Sequence, residues 1–234
     1  MPDPLEISLA TGTGEDARGH RTLASAIFSQ LRDDVVTCRI KPGEKLIVSA
    51  ISARFDVSLA AVREALSRLV AAGLVVAEDQ RGFRASPLSI ADLMDLTNTR
   101  IEIECIALRR SIETGGEDWR KRVSIALDSL QSVPRMSAHE PGRHNPAWSA
   151  MHSRFHSALV SACGLKWLMN FRNTLYEQSE RYRQMAVAIR PDARDVDAEH
   201  RLIAELALAG ETDRALSEMA KHIERTATAI AEAY

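Results

Sequence analysis

The chain has 234 residues, 45% hydrophobic and 26% charged, with a formal net charge of −2. That length supports two modest domains, each with its own core, and the near-neutral balance excludes a protein that coats nucleic acid through charge alone. No stretch approaches the roughly twenty apolar residues of a membrane span, and the start lacks the basic run and apolar core of a signal peptide, so the expectation is a cytoplasmic protein with no membrane partner.

Charge is unevenly placed. From Ala17 to Leu88, 11 Lys and Arg stand against 7 Asp and Glu, a net of +4, while the remainder is acidic. A sequence-specific nucleic-acid reader on a non-binding body has this distribution. Cys38, Cys105 and Cys163 are odd in number and unclustered, which fits reduced core thiols better than disulfides or a cysteine zinc site.

Residues 1–19 are polar and aperiodic, and are expected to form a flexible tail. A first domain is expected over 20–88. Its opening helix runs from Thr22 to about Thr37, with Leu23, Ile27, Leu31 and Val35 on one face. Pro42-Gly43 then punctuates the chain, and Leu46, Ile51 and Phe55 give a short helix its inner face. Asp56-Val57-Ser58 makes a tight turn in which Ser58 can cap the next helix. In that helix Val62, Leu66, Leu69 and Val70 face inward, which turns Ala60, Arg63, Ser67 and Arg68 outward, along the side that a helix-turn-helix lays in the major groove. Gly73 stops it. Leu74 to Ala77 has a half-buried strand pattern, and Asp79 to Gly82 suits a hairpin tip carrying Arg81. The expected DNA-contacting set is Ser58, Ala60, Arg63, Ser67 and Arg68, with Arg81 and Gly82 at the wing.

These residues carry a family resemblance. PGEKL, the VS before the short helix, VREALSRL, the following GLV and the RGF of the wing resemble the DNA-binding domain of GntR-type bacterial transcription regulators. Val48-Ser49 stands where that family usually has Glu-Arg, and Leu59-Ala60-Ala61 where it usually has Arg-Thr-Pro. Arg63 is the base-reading position that remains.

After the wing, Ser86-Pro87-Leu88-Ser89 breaks the strand, and Ser89 with Asp92 resembles a capping box. A second domain is expected over 89–234. Only helical periodicity follows, over roughly 90–113, 117–132, 146–163, 165–189, 192–209 and 211–232, with one long loop from Pro134 to Asn145. The fold class is therefore mainly α: an N-terminal winged helix-turn-helix followed by an all-α antiparallel helical bundle.

The bundle contains a second constellation. Trp148, His152, His156 and Val160 fall on every fourth residue beside the apolar line Met151, Phe155, Leu159. His200 shares a face with Val196, Ile203 and Ala207, and His222 with Met219, Ile223 and Thr226. Four of the seven histidines thus aim at one interior. Buried imidazoles without partners are costly, and a divalent cation shared among the four would supply the partner.

HSRFHSAL, the Glu199-His200 pair and AGETDRALSEMAKHI resemble the effector-binding bundle of the FadR branch of the GntR family, the FCD domain. Its metal ligands are commonly an Asp, a His four residues later, and two further His. His156, His200 and His222 match the three His, while His152 stands in the Asp position. The site becomes all-nitrogen, which suits Zn²⁺ or Ni²⁺ better than oxygen-seeking Mg²⁺ or Ca²⁺. The resemblance also implies that a carboxylate effector docks on an open coordination position, and that an Arg in the first bundle helix meets its other end. Arg100 occupies that place, where it could equally form a surface ion pair with Glu104. Gln178 and Tyr182 are further pocket candidates, with Arg181 and Arg183 on the rim.

The function expected is a transcription repressor that binds a near-palindromic double-stranded operator as a homodimer and responds to a small carboxylic acid near the metal. The alternative is a metal-dependent hydrolase built on the His cluster. Such enzymes place a Glu beside the first His to activate water, and this chain has Ser153 there.

Overall fold

The computed structural model describes residues 14–79, 81–189 and 194–233. The chain divides into two compact units, one taking in the residues up to Val35 with Ile40–Ser86, the other Val36–Arg39 with everything from Pro87 on.

In the first unit, helix α1 (Gly14–Val36) precedes strand β1 (Lys45–Leu46), helices α2 (Val48–Phe55) and α3 (Leu59–Ala71), and strands β2 (Val75–Glu78) and β3 (Gly82–Ala85). Helix α1 starts earlier than its hydrophobic pattern predicts, so residues 14–19 are helical rather than part of a tail. Once a turn is nucleated, each added residue gains a hydrogen bond without needing an apolar face. Residues 1–13 and the side chain of Leu23 lie outside the described residues. Ile27, Leu31 and Val35 are buried as the spacing requires.

Leu46 departs from expectation. It sits on β1 opposite Phe83 of β3, because Ile47 is still extended and α2 begins only at Val48. Asp56 ends α2 in the left-handed region at φ 52°, and the Ser58 hydroxyl caps α3 by accepting from the Ala61 N–H at 3.2 Å. Val62, Ala65, Leu66 and Leu69 form the inner face of α3. The sheet has the order β1-β3-β2, all antiparallel. Gly82 adopts φ +91° where the wing turns back into β3, a conformation that disfavours any side chain.

The second unit is a bundle of α4 (Ile90–Thr114), α5 (Glu117–Gln131), α6 (Pro146–Leu159), α7 (Lys166–Ile189), α8 (Val196–Ala209) and α9 (Thr212–Ala233). Side-chain oxygens of Ser89, Asn145 and Asp195 cap α4, α6 and α8, satisfying donors that the first helical turn leaves open. Expected residues 192 and 193 of α8, like the Arg190-Pro191 break, lie outside the described residues. Trp119, Trp148, Phe155, Leu159, Ile203 and Met219 anchor one continuous core. The Trp119 indole donates to the carbonyls of Ala158 and Leu159, 3.1 Å each, which ties α5 to the end of α6. Helix α4 packs against α7 and α9, and α8 against α9. That packing brings α6, α7, α8 and α9 around one interior point. No helix among the described residues is long and apolar enough to cross a membrane.

Candidate functional site

In the first unit, Ser58, Ala60, Arg63, Ser67 and Arg68 are all exposed, and so are Arg81 and Gly82. Helical spacing makes this so, because the buried positions of α3 occupy the opposite face. The two arginines of α3 differ in surroundings. Arg68 lies over the Phe28 ring, 4.1 Å from its centroid, and donates to the Ser25 hydroxyl at 3.2 Å. Arg63 has no such anchor among the described residues and projects from the second turn of α3.

In the bundle, His152, His156, His200 and His222 are all buried, and one ring nitrogen from each lies within 4.8 Å of the others. His152 and His156, one turn apart on α6, bring their Nε2 atoms to 3.1 Å. The His200 ring centroid is 5.0 Å from that of His152 and 4.8 Å from that of His222. Hydrogen bonding is incomplete. Both nitrogens of His200 and Nδ1 of His156 are buried without a partner. His222 Nδ1 instead meets Glu199 Oε2 at 2.7 Å, and His152 Nδ1 meets the Tyr176 hydroxyl at 2.8 Å.

Burial pushes all four imidazoles below their ordinary pKa, so they stand neutral with lone pairs available. For His152 the nearby Arg183 cation adds to the effect, and for His156 and His200 the neighbouring imidazoles add to it. For His222 burial also lowers the value, with Glu199 partly offsetting it. Burial alone would raise the Glu199 carboxyl, but the hydrogen bond from His222 and the charges of Arg194 and Arg225 bring it below the usual range. Orphaned, neutral nitrogens converging from three helices fit a divalent ion that prefers imidazole. Adjacent nitrogens on one ion, each about 2.0 Å from it, lie roughly 2.8 to 3.3 Å apart whether the ion takes four ligands or keeps room for more. The His152–His156 separation already matches.

A cavity of about 620 Å³ opens beside the cluster, with His152, His222, Arg100, Tyr176 and Arg183 in its walls. Arg100 on α4 donates to the Ser179 hydroxyl at 3.0 Å and lies 3.5 Å from the carboxylate of fully buried Glu104. Arg172 on α7 reaches that same Glu104 oxygen at 3.0 Å. Nε of both Arg100 and Arg183 is buried without a hydrogen-bond partner. Two guanidiniums lining a cavity beside the histidine cluster can hold an anion.

The family of bacterial regulatory proteins called gntR matches residues 23–84, and the FCD domain matches residues 95–225, more than half the chain. The chain belongs to the GntR family of transcriptional regulators, with an FCD domain. It is 37% identical over 210 residues to the HTH-type transcriptional regulator BphR of Paraburkholderia xenovorans, covering 90% of this chain and 86% of that one. It is 29% identical over 203 residues to the HTH-type transcriptional repressor GlaR of Escherichia coli, covering 84% and 90%. Among solved structures, a GntR transcriptional regulator from Rhodococcus sp. RHA1 superposes with a TM-score of 0.74 at 23% identity, covering 91% of this chain and 99% of that one. These families are regulators, not enzymes.

In this GntR–FCD chain the four histidines expected to converge do so, and Arg100 lines the cavity beside them. It also pairs with Glu104, so the two alternatives for Arg100 coexist, and the pair is buried rather than on the surface. Gln178 and Tyr182 are not among the cavity-lining residues. Gln178 accepts from Arg181. Tyr182 is turned toward the start of α4, where its hydroxyl accepts from the Ser89 N–H and donates to the Asp92 carboxylate. Burial and that carboxylate push its pKa up. Arg181 is 2% exposed, and Arg183 reaches His152, so neither is a rim residue. Tyr176, Ser179, Glu180 and Arg183, spaced three and four apart on α7, form a wall of which the sequence points only to Arg183, and to that as a rim residue. The sequence does not point to His144. It is a buried imidazole 5.0 Å from the Trp148 ring, placed by a loop without periodicity.

Proposed function

We propose that this GntR-family regulator is a repressor that binds a near-palindromic operator as a homodimer, and that a small carboxylic acid bound beside a divalent metal in the FCD bundle sets its affinity for DNA. The observation that carries this is the convergence of four buried histidines, ligating atoms within 4.8 Å of one another, on the wall of a cavity that Arg100 and Arg183 also line. His152, His156, His200 and His222 would hold the ion, with Zn²⁺ or Ni²⁺ favoured by an all-imidazole set. When bound, the ion supplies Lewis-acid attraction for a carboxylate oxygen. The rest falls to the chain. Arg100, braced by Glu104 and Ser179, offers a charge-assisted hydrogen bond to the far end of the effector, and Leu93, Ala186 and Val187 bound its apolar part. On DNA, Arg63 would read a base edge in the major groove, and Arg81 would contact phosphate or the minor groove. Repression rather than activation is supported by the relationship to GlaR, a transcriptional repressor.

The test combines metal content with operator binding. Protein purified without chelator from metal-supplied cells should contain near one ion per chain. It should shift DNA from upstream of its own gene in a gel. In a thermal-shift screen of small carboxylic acids, at least one should stabilise the metal-loaded protein by mass action and alter that gel shift. Protein that carries no ion overturns the metal, and acids that stabilise metal-free protein equally well place the effector away from it.

A further inference from the structure

The first turn of α3 turns no polar side chain toward solvent. Leu59, its first residue, is 50% exposed, and Ala60 beside it is exposed as well, while Ala61 and Val62 are buried. No acidic residue stands in that turn, so nothing there repels a phosphate backbone. A single exposed leucine is common on protein surfaces; this one is distinguished by its place. Arg63 follows one turn on, about 40° around the helix from Leu59, so the two share the exposed side of α3. In a helix-turn-helix the N-terminal residues of the second helix are the ones that reach base edges. A base lying against the first turn of α3 therefore meets hydrocarbon, with no side-chain donor or acceptor from residues 59–62.

We infer that Leu59 is a specificity-determining residue that reads thymine, its side chain packing on the C5 methyl in the major groove while Arg63 reads a different base by hydrogen bonding. This rests on the reading that α3 lies in the major groove. Thymine is the only one of the four bases that offers an apolar group there. Guanine and adenine present N7 with O6 or N6, and cytosine presents its N4 amine. Leu59 pressed on any of these strips water from a polar edge and returns no hydrogen bond, which is costly. Against thymine the same side chain covers a methyl and leaves water itself. Discrimination thus comes both from attraction to one base and from desolvation of the other three. Each operator half-site should hold one thymine whose identity Leu59 sets, at a position distinct from the one that Arg63 sets.

The test starts with selection of binding sites from a random-sequence duplex library by the full-length parent protein, by L59R and by R63A. Arginine favours guanine, so L59R should change one position of each half-site from thymine to guanine, and R63A should lose its preference at another. In the parent's selected site, the thymine located in this way is then replaced by deoxyuridine, which removes the methyl and keeps the base pair. Loss of one buried methyl corresponds to about a fourfold weakening, and the parent protein should lose about that much affinity. L59A has no side chain to reach the methyl, so it should bind the thymine and deoxyuridine duplexes alike. Leu59 is half-exposed, and the melting temperatures of L59A and L59R should match the parent's, which checks that each variant is folded. Deoxyuridine that costs the parent nothing overturns the assignment, as does a loss equally large in L59A or an L59R that selects the parent's sequence. Failure of Arg63 as a base reader looks different: R63A then selects the parent's site, and the deoxyuridine effect stands and supports Leu59. A parent protein that enriches no sequence overturns the placement of α3 in the groove, and this proposal falls with it.

Discussion

Glu199 and His222 meet across the α8–α9 contact, Oε2 to Nδ1 at 2.7 Å. A carboxylate accepts, so His222 must carry its proton on Nδ1 and leave Nε2 as the nitrogen with a free lone pair. Outer partners of this kind fix the tautomer and raise the basicity of a ligating imidazole, and losing one typically lowers metal affinity 10- to 100-fold. Glu199→Ala should therefore weaken zinc binding by about that factor, whereas Glu199→Gln, which keeps an acceptor oxygen, should lose less. Competition titration with a chelator reads both, and equal affinity in E199A and the parent protein would remove Glu199 from the centre.

The same imidazoles make stability depend on pH in the metal-free protein. Burial holds the folded-state pKa of His152, His156 and His200 well below the ordinary value, while in the unfolded chain they titrate near pH 6.5. Below that pH the unfolded state binds more protons than the folded one, and stability falls. The contribution is complete above about pH 6.5 and is lost as pH drops toward the folded values, with a slope of up to about 1.4 kcal/mol per pH unit for each imidazole. Urea unfolding of chelator-treated protein at a series of pH values between about 8 and about 5 should show this decline. His200→Gln should flatten it, and a flat profile in the parent protein would contradict the neutral assignment.

The helices that carry the site were legible because their apolar residues repeat at 3.6. His152, His156, His200 and His222 ride on those same stripes, so periodicity turns each of them inward, and packing of α6, α8 and α9 brings them to one point. The wall of the cavity was not legible. On α7 the stripe through Leu175 and Tyr182 and the one through Tyr176 and Arg183 are offset by a single residue, about 100° around the helix, and both hold polar and aromatic residues. Periodicity could not say which faces the cavity. The charge pairs were hidden for another reason. Glu104 lies 68 residues from Arg172 and Glu199 lies 23 from His222, so only packing brings them together. Leu46 reads as helical in the sequence because a two-residue strand leaves no alternation to detect.

On the DNA-binding unit, Arg63 and Arg68 are expected to separate recognition from stability. Arg63 is exposed and unanchored among the described residues, whereas Arg68 stacks on Phe28 and bonds Ser25. Arg63→Ala should lower operator affinity by roughly 1 to 3 kcal/mol, the worth of a base contact, with the melting temperature unchanged. Arg68→Ala should lower the melting temperature, because an exposed cation–π contact contributes about 0.5 to 1 kcal/mol. Gel shifts and thermal unfolding of the two variants test this. Operator affinity untouched in R63A would take the base-reading role from it.

Glu104 is the most consequential buried charge in the bundle. It is 0% exposed, and its Oε1 serves Arg172 at 3.0 Å and Arg100 at 3.5 Å. Both guanidiniums also lie about 5 Å from the Tyr176 ring centroid, at 5.0 Å and 4.9 Å. Removing the carboxylate leaves two buried cations beside one aromatic ring. Breaking a buried pair in this way costs about 3 to 5 kcal/mol, because the surviving charge is left without compensation. Glu104→Ala should destabilise the bundle by that order in chemical denaturation. Adding Arg172→Leu should restore part of the loss, since it removes one of the stranded cations. Glu104→Ala should also slacken Arg100, so any acid found to stabilise the parent protein should bind the variant more weakly even at temperatures where it is fully folded. If E104A is as stable as the parent, the two guanidiniums have other partners and Arg100 needs no brace to serve the cavity.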